Sequence, residues 1–194
     1  CKAGISSQTS STAGFFPLYT KLFHTSADAE HQDIFDLCNL KSECKADGAS
    51  YTAEVPLESL DAFLEGLASC VNSPSIEQDA IQTEYFQMRK NSLEYSQSLS
   101  GFINSSIDSR IFSKEPWKHD TGIYAPLFNS YSPSEVRSIL YKIANDYYVP
   151  RNSALFFCGN IDEEKIYQLC EKNLGSWKEN KKSLLSLLAL KNTE

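Results

Sequence analysis

At 194 residues, with 41% hydrophobic and 22% charged residues, the chain is long enough to bury one core and too apolar to remain disordered. Its 18 Lys and Arg against 25 Asp and Glu leave a net charge of −7, which argues against a nucleic-acid partner because displacing counterions from phosphates needs a positive surface. No run approaches the about 18 consecutive apolar residues of a membrane-spanning helix, and the apolar stretch Leu184–Leu190 is too short for one and reads as a packing segment.

The first thirteen residues, rich in Ser and Thr and containing Gly4, read as a short strand running into a loop. Gly14–His24 is apolar on most sides, and Pro17 near its start is compatible with a first helical turn, so a short buried helix is expected. Asp28–Leu40 carries Ile34, Leu37 and Cys38 at helical spacing. Ser42–Val55 holds Asp47-Gly48 between two strand-like runs and predicts a hairpin. After Pro56, the positions Leu57, Leu60, Phe63, Leu64, Leu67, Ala68 and Val71 step as one helix face, and Asn72-Ser73-Pro74 ends it.

Ile76–Leu93 predicts a long helix with acidic residues at its start, as the helix dipole prefers. Gly101–Phe112 predicts another helix, and Glu115–Tyr131 an irregular connection. Ser132-Pro133-Ser134-Glu135 combines a cap, a proline at the first position and a glutamate at the third, so a helix starts there and runs to about Tyr147. Ser153–Cys158 is a continuous apolar run of strand length, turned by Gly159-Asn160. Asp162-Glu163-Glu164 caps a last amphipathic helix closed by Gly175. The order of elements predicts an α+β fold, a mostly antiparallel sheet packed against several helices.

Six cysteines are scattered without a CxxC pair or zinc-finger spacing to a histidine. Cys158 falls in the apolar run Leu155-Phe156-Phe157-Cys158, and free, buried thiols in a reducing compartment are favoured over a disulfide framework. That usage points weakly to the cytoplasm. Cys1 reads as a cut or processed end, and a lipidated cysteine exposed by signal cleavage would begin in the same way. His24, His31 and His119 form no HxxxH or HxxEH pair, so no helix presents two imidazoles to a metal. Neither a GxSxG elbow, a phosphate loop nor a dinucleotide fingerprint occurs. Glu77 and Glu84, seven apart on one predicted helix, fall on one face, where paired carboxylates could serve as acid/base groups or ligands, although a solvated face is the commoner role.

Tyr148-Val149-Pro150-Arg151-Asn152 leads into the apolar run ending at Gly159-Asn160, and the helix beyond it ends at Leu174-Gly175-Ser176-Trp177. This order resembles the pitrilysin/insulinase (M16) metallopeptidase family, in which a Tyr-x-Pro-x-Asn element precedes an apolar strand and a helix closing near Gly-x-Trp. Tyr51–Leu60 is similar to the family's Tyr-bearing strand and the helix after it. The resemblance covers nearly the whole chain and implies a single processing-peptidase-like domain, residues 1–194, with its first strand or strands missing, forming part of a longer multidomain protein.

The same resemblance places the family's Gly-x-His-x-x-Glu-His-x-x-Phe zinc frame on Gly14–Phe23. Gly14 and Phe23 match, but the two histidine positions hold Phe16 and Thr20, and the general-base position holds Tyr19. Glu84 matches the distal zinc ligand and Glu77 an acidic position one heptad earlier. The family's substrate-contact strand corresponds to Lys41-Ser42-Glu43-Cys44, so Lys41, Ser42 and Cys44 are the peptide-contact candidates. Zinc in such a site needs three protein ligands at about 2.0–2.2 Å and an open position for water. A phenylalanine has no lone pair, and a tyrosine with a pKa of about 10 is a poor base at neutral pH.

The resemblance with its ligands gone implies a zinc-less M16 domain without a bound cofactor. Such a domain would be the structural and peptide-binding half or subunit of a peptidase assembly, with peptide or unfolded polypeptide and a second M16-type domain as partners. An active zinc endopeptidase, its HxxEH motif lying outside this chain or displaced from this frame, is the alternative. A purely structural subunit without peptide contact is a third reading.

Overall fold

The computed structural model describes residues 1–9, 11–27, 29–111 and 128–179. His119, most of the expected connection Glu115–Tyr131, Phe112 and the Leu184–Leu190 segment lie outside the described residues. In chain order the elements are α1 (Phe15–Leu22), α2 (Ala29–Leu37), β1 (Lys41–Cys44), β2 (Ala49–Thr52), α3 (Leu60–Asn72), α4 (Gln78–Gln97), α5 (Leu99–Ile111), α6 (Pro133–Tyr147) and α7 (Glu163–Leu174). Short 3₁₀ turns stand at Ile5–Ser7, His24–Ser26, Leu57–Ser59 and Pro150–Asn152.

The core is built around α1, whose Phe15, Phe16, Leu18, Tyr19, Thr20 and Leu22 are all buried. A helix apolar over most of its surface has to be enclosed, and α1 is enclosed by β1, α4 and α6, with Lys21 left exposed. Each large side chain removed from water here contributes about 1.5–3 kcal/mol. Phe15 stacks on Phe128 at 5.6 Å and meets the edge of Tyr131 at 5.7 Å, while Tyr85 of α4 stacks on the other side of Phe128 at 3.9 Å. A smaller cluster of Leu60, Leu64 and Ile166 joins α3 to α7. At the rim of that contact the Lys172 ammonium donates to Asp61, holding the carboxyl of Asp61 below and the ammonium of Lys172 above their usual ranges.

Helix starts follow the residues that the sequence offers. Gly14 sits at φ 85°, a left-handed conformation natural to glycine, and its N–H donates to the buried Gln8 Oε1 at 2.5 Å. Ser132 and Glu135 form a reciprocal capping box at α6: the Ser132 hydroxyl accepts from the Glu135 N–H, and Glu135 Oε2 accepts from the Ser132 N–H at 2.7 Å. Those bonds hold the Glu135 carboxyl below its usual range. Their contribution is therefore present above the ordinary glutamate pKa and is lost as pH falls through the depressed one. Ser132→Ala is expected to lower stability by about 1 kcal/mol in urea titration while Ser132→Asp retains most of it; equal midpoints for parent and Ser132→Ala would contradict this account of the cap. At α7, Asp162 Oδ1 accepts from the N–H groups of Glu164 and Lys165, at 3.1 and 3.3 Å.

The hairpin forms where Asp47-Gly48 predicts it, with Lys41 opposite Thr52, Ser42 opposite Tyr51, Glu43 opposite Ser50 and Cys44 opposite Ala49. Gly48 is required there, because a Cβ would come within 2.6 Å of the Cys1 carbonyl oxygen. The α+β expectation is borne out, but among the described residues the paired sheet is only this two-stranded ladder. The expected strands within the first thirteen residues and at Ser153–Cys158 do not form ladders. Cys1 does exchange both backbone bonds with Ala49, but a strand is completed by its neighbour, and among the described residues no neighbouring backbone continues either ladder. Cys158 is exposed rather than buried, Cys38 and Cys70 are buried, and none of the six cysteines forms a disulfide. None of the described helices is long and apolar enough to cross a membrane.

Candidate functional site

The three frame positions project from α1 into the core. Phe16, 2% exposed, packs its ring edge-on against Tyr147 at 4.8 Å. Tyr19 meets the ring of Tyr148 at 4.7 Å. Thr20 donates its hydroxyl to the Phe16 carbonyl at 2.9 Å, the usual back-bond of a helical threonine, and lies 3.5 Å from the Tyr148 hydroxyl. The Tyr148 and Tyr51 hydroxyls are 2.8 Å apart. Phe23 closes the group, tilted against Tyr51 at 4.4 Å and stacked on Tyr148 at 5.5 Å.

Burial pushes the phenols of Tyr19, Tyr51 and Tyr148 well above their ordinary range, so they remain neutral. The Tyr19 hydroxyl is buried and has no hydrogen-bond partner among the described residues. This is an aromatic core with a hydroxyl thread. It offers neither a base at neutral pH nor an imidazole.

Glu84 lies on α4, half-buried, in the helix that packs on α1. Glu77 is not inside that helix. It is the N-cap residue, extended at φ −80° and ψ 145°, exposed, with its carboxylate accepting from the Ser75 hydroxyl at 2.9 Å. The single-face argument for Glu77 and Glu84 therefore fails, because the helix begins at Gln78. Among the described residues no group of three His, Cys, Asp or Glu side chains could hold a metal ion. The residues in the frame do not fit zinc: Phe16 has no donor atom and the Thr20 hydroxyl is committed to the helix backbone.

Lys41, Ser42 and Cys44 lie along β1. Ladder bonds alternate, and Ala49 turns its N–H and C=O away from β1 toward Cys1, so Glu43–Ser50 and Lys41–Thr52 are the bonded pairs. The backbone groups of Ser42 and Cys44 consequently point to the outer edge of the hairpin. There the Lys21 ammonium reaches the Ser42 carbonyl at 3.3 Å. The 410 Å³ groove lined by Leu57, Leu60, Ile161, Asp162, Lys165 and Ile166 shares no residue with either place.

Asn152 is a structural centre that its sequence position marks only as the last letter of the Tyr-x-Pro-x-Asn element. Its side-chain amide donates to the carbonyls of Lys2 at 3.1 Å and Tyr147 at 2.7 Å, and its main-chain carbonyl accepts from the Lys2 N–H at 3.0 Å. Trp177, at the end of the second motif, donates its indole N–H to the Tyr148 carbonyl at 3.2 Å. Thus the two motifs that are separate in sequence are bonded to each other.

Comparison with known proteins agrees with this picture. Residues 136–193 match the family model described as the peptidase M16 inactive domain. No curated protein sequence matches the chain. Among solved structures it is similar to a protease from Helicobacter pylori, with a TM-score of 0.80, 18% identity, and coverage of 94% of this chain and 45% of that one. It is also similar to the first half of the periplasmic protease PqqL from Escherichia coli, with a TM-score of 0.72, 12% identity, and coverage of 94% and 41%. The resemblance to the M16 family drawn from the motifs is borne out, and the fold is that of these proteases. The chain spans less than half the length of either solved structure.

Proposed function

We propose that this chain is a non-catalytic M16-type domain, one part of a longer multidomain polypeptide or assembly, that supplies wall and peptide-contact surface to a peptidase. The observation that carries the reading is the replacement of the ligand and base positions by Phe16, Tyr19 and Thr20, all packed as core. Glu84 alone could not hold a metal against water.

Two surfaces support an assembly role. The outer edge of β1, at Ser42, suits addition of an extended peptide by main-chain bonds, with the Lys21 and Lys41 ammonium groups nearby for acidic or carboxyl-terminal groups. The α4–α5 pair exposes Phe86, Leu93, Leu99, Phe102, Ile107 and Ile111, more apolar surface than an isolated domain needs and suited to a second M16-type domain.

Elemental analysis of tag-free protein tests the reading. Zinc is expected to stay near zero per chain, unchanged by added zinc or by Glu84→Ala. About one zinc per chain, lost in Glu84→Ala, would overturn it and favour an active metallopeptidase.

A further inference from the structure

The outer side of β1 is short, and one ammonium group holds its central acceptor. At one end the Leu40 N–H is turned back to the Phe35 carbonyl at 3.0 Å; at the other the Lys45 carbonyl accepts from the Ile5 N–H at 3.0 Å. Between these closures Ser42 directs its N–H and C=O outward, because Lys41 and Glu43 supply the bonds to β2. Among the described residues no backbone group bonds to Ser42 on that side. Its carbonyl accepts instead from the Lys21 ammonium at 3.3 Å. A lysine laid on an unpaired edge is a common obstacle to the addition of a strand.

The pleat decides what can pass this obstacle. Ser42 stands directly opposite Tyr51, so the two side chains share one face of the hairpin. Tyr51 packs its ring on Phe23 and Tyr148, which makes this the face that lies against α1. Lys21, in the last turn of α1, reaches Ser42 from that same face. Lys41 and Glu43 alternate to the other face, where Glu43 pairs with Lys45 at 3.1 Å. In an added strand, the residue that pairs with Ser42 also projects its side chain to the α1 face, whichever way the strand runs. Lys21 is exposed and makes no ion pair among the described residues.

We propose that Lys21 gates the β1 edge and selects extended peptides that carry an internal acidic residue opposite Ser42. The inference rests on the proposed peptide contact at β1 and adds which peptides that edge accepts. A neutral strand brings a second donor to the Ser42 carbonyl and covers the ammonium without giving it an acceptor. A carboxylate at the paired position draws the ammonium off the carbonyl, and the main-chain N–H of the peptide takes the place it leaves. Main-chain bonding is indifferent to sequence, so selectivity on this short edge falls to the Lys21 side chain.

The test uses two end-blocked peptides, acetyl-Thr-Val-Thr-Glu-Thr-Val-Thr-amide and the same sequence with Gln in place of Glu. Blocked ends exclude a terminal carboxylate as the group recognised. Fluorescence anisotropy reads affinity, and exchange of the Ser42 amide reads the place of binding. The parent is expected to bind the Glu peptide about fivefold more tightly than the Gln peptide, with slowed Ser42 exchange. The ratio should fall toward one at about 1 M salt, where charges are screened beyond about 3 Å. Lys21→Met should bring the ratio near one at low salt as well, by weakening the Glu peptide and strengthening the Gln peptide. Lys45→Met removes the same charge from the other face and should leave the ratio unchanged. A preference retained in Lys21→Met, or lost equally in Lys45→Met, overturns the gate and leaves the edge as a peptide site. Ser42 exchange unaffected by either peptide, in the parent and in Lys21→Met, overturns the edge reading itself and the gate with it.

Discussion

Tyr19→Glu, which puts a glutamate where the resemblance would place the family's general base, is expected to destabilise the chain by about 3–5 kcal/mol. The side chain at this position is fully enclosed, against the ring of Tyr148, and its hydroxyl has no partner among the described residues. A carboxylate placed there would lose its water and gain no cation. It would therefore stay protonated far above the ordinary glutamate pKa, so the penalty shrinks as pH falls below that ordinary value and grows as pH rises. Tyr19→Phe is the matched control. It deletes a buried hydroxyl that makes no bond and should be neutral or stabilising by about 1 kcal/mol. Urea denaturation at two pH values reads both. A Glu variant as stable as the parent would mean that α1 is wet at this point, and would remove the physical basis for regarding the frame as packed core.

Asn152→Ala is expected to cost about 2–4 kcal/mol. The side chain is 4% exposed and its amide serves two carbonyls, those of Lys2 and Tyr147. Each carbonyl that loses its amide donor costs about 1–2 kcal/mol, the lower part of the usual range because the Tyr147 carbonyl also accepts from the Cys1 thiol. Asn152→Asp should do no better, since it turns a second acceptor toward the same carbonyls. The local signature distinguishes this from a general loss of packing. Exchange of the Lys2 and Ala49 amides should quicken before that of α6, because the clamp fastens the amino-terminal line to the Pro150–Asn152 turn. Uniform quickening across the chain, or a cost below about 1 kcal/mol, would contradict the role assigned to this amide.

The packing of Phe16, Tyr19 and Thr20 has a simple physical source. A metal site is a set of charged or lone-pair donors that must be kept apart from apolar packing, and a helix without such donors can bury these positions among apolar neighbours. Phe16, Tyr19 and Thr20 do this together: one fills volume, one stacks, and one satisfies itself on its own helix. Substituting any one of them with the family residue would meet the other two as a closed core rather than as partners.

Local chemistry was legible in the residues themselves. Ser132-Pro133-Ser134-Glu135 makes its capping box, Asp47-Gly48 its hairpin and Asp162 its cap, because each uses groups within a few positions of one another. The burial of α1 was legible too, since few polar residues interrupt it. The resemblance to the family's zinc frame was drawn from the order of Gly14, Phe16, Tyr19, Thr20 and Phe23. Tertiary structure alone decided the rest. That Tyr51 meets Tyr148, 97 positions away, and that Asn152 holds Lys2, 150 positions away, depends on how the helices bring distant turns together. Glu77 became a cap instead of a face partner because the helix starts one residue later than its acidic pattern suggests. Ser153–Cys158 has every residue a strand requires and yet pairs with no backbone among the described residues, because side chains favour an extended backbone but only a neighbouring backbone can satisfy its hydrogen bonds.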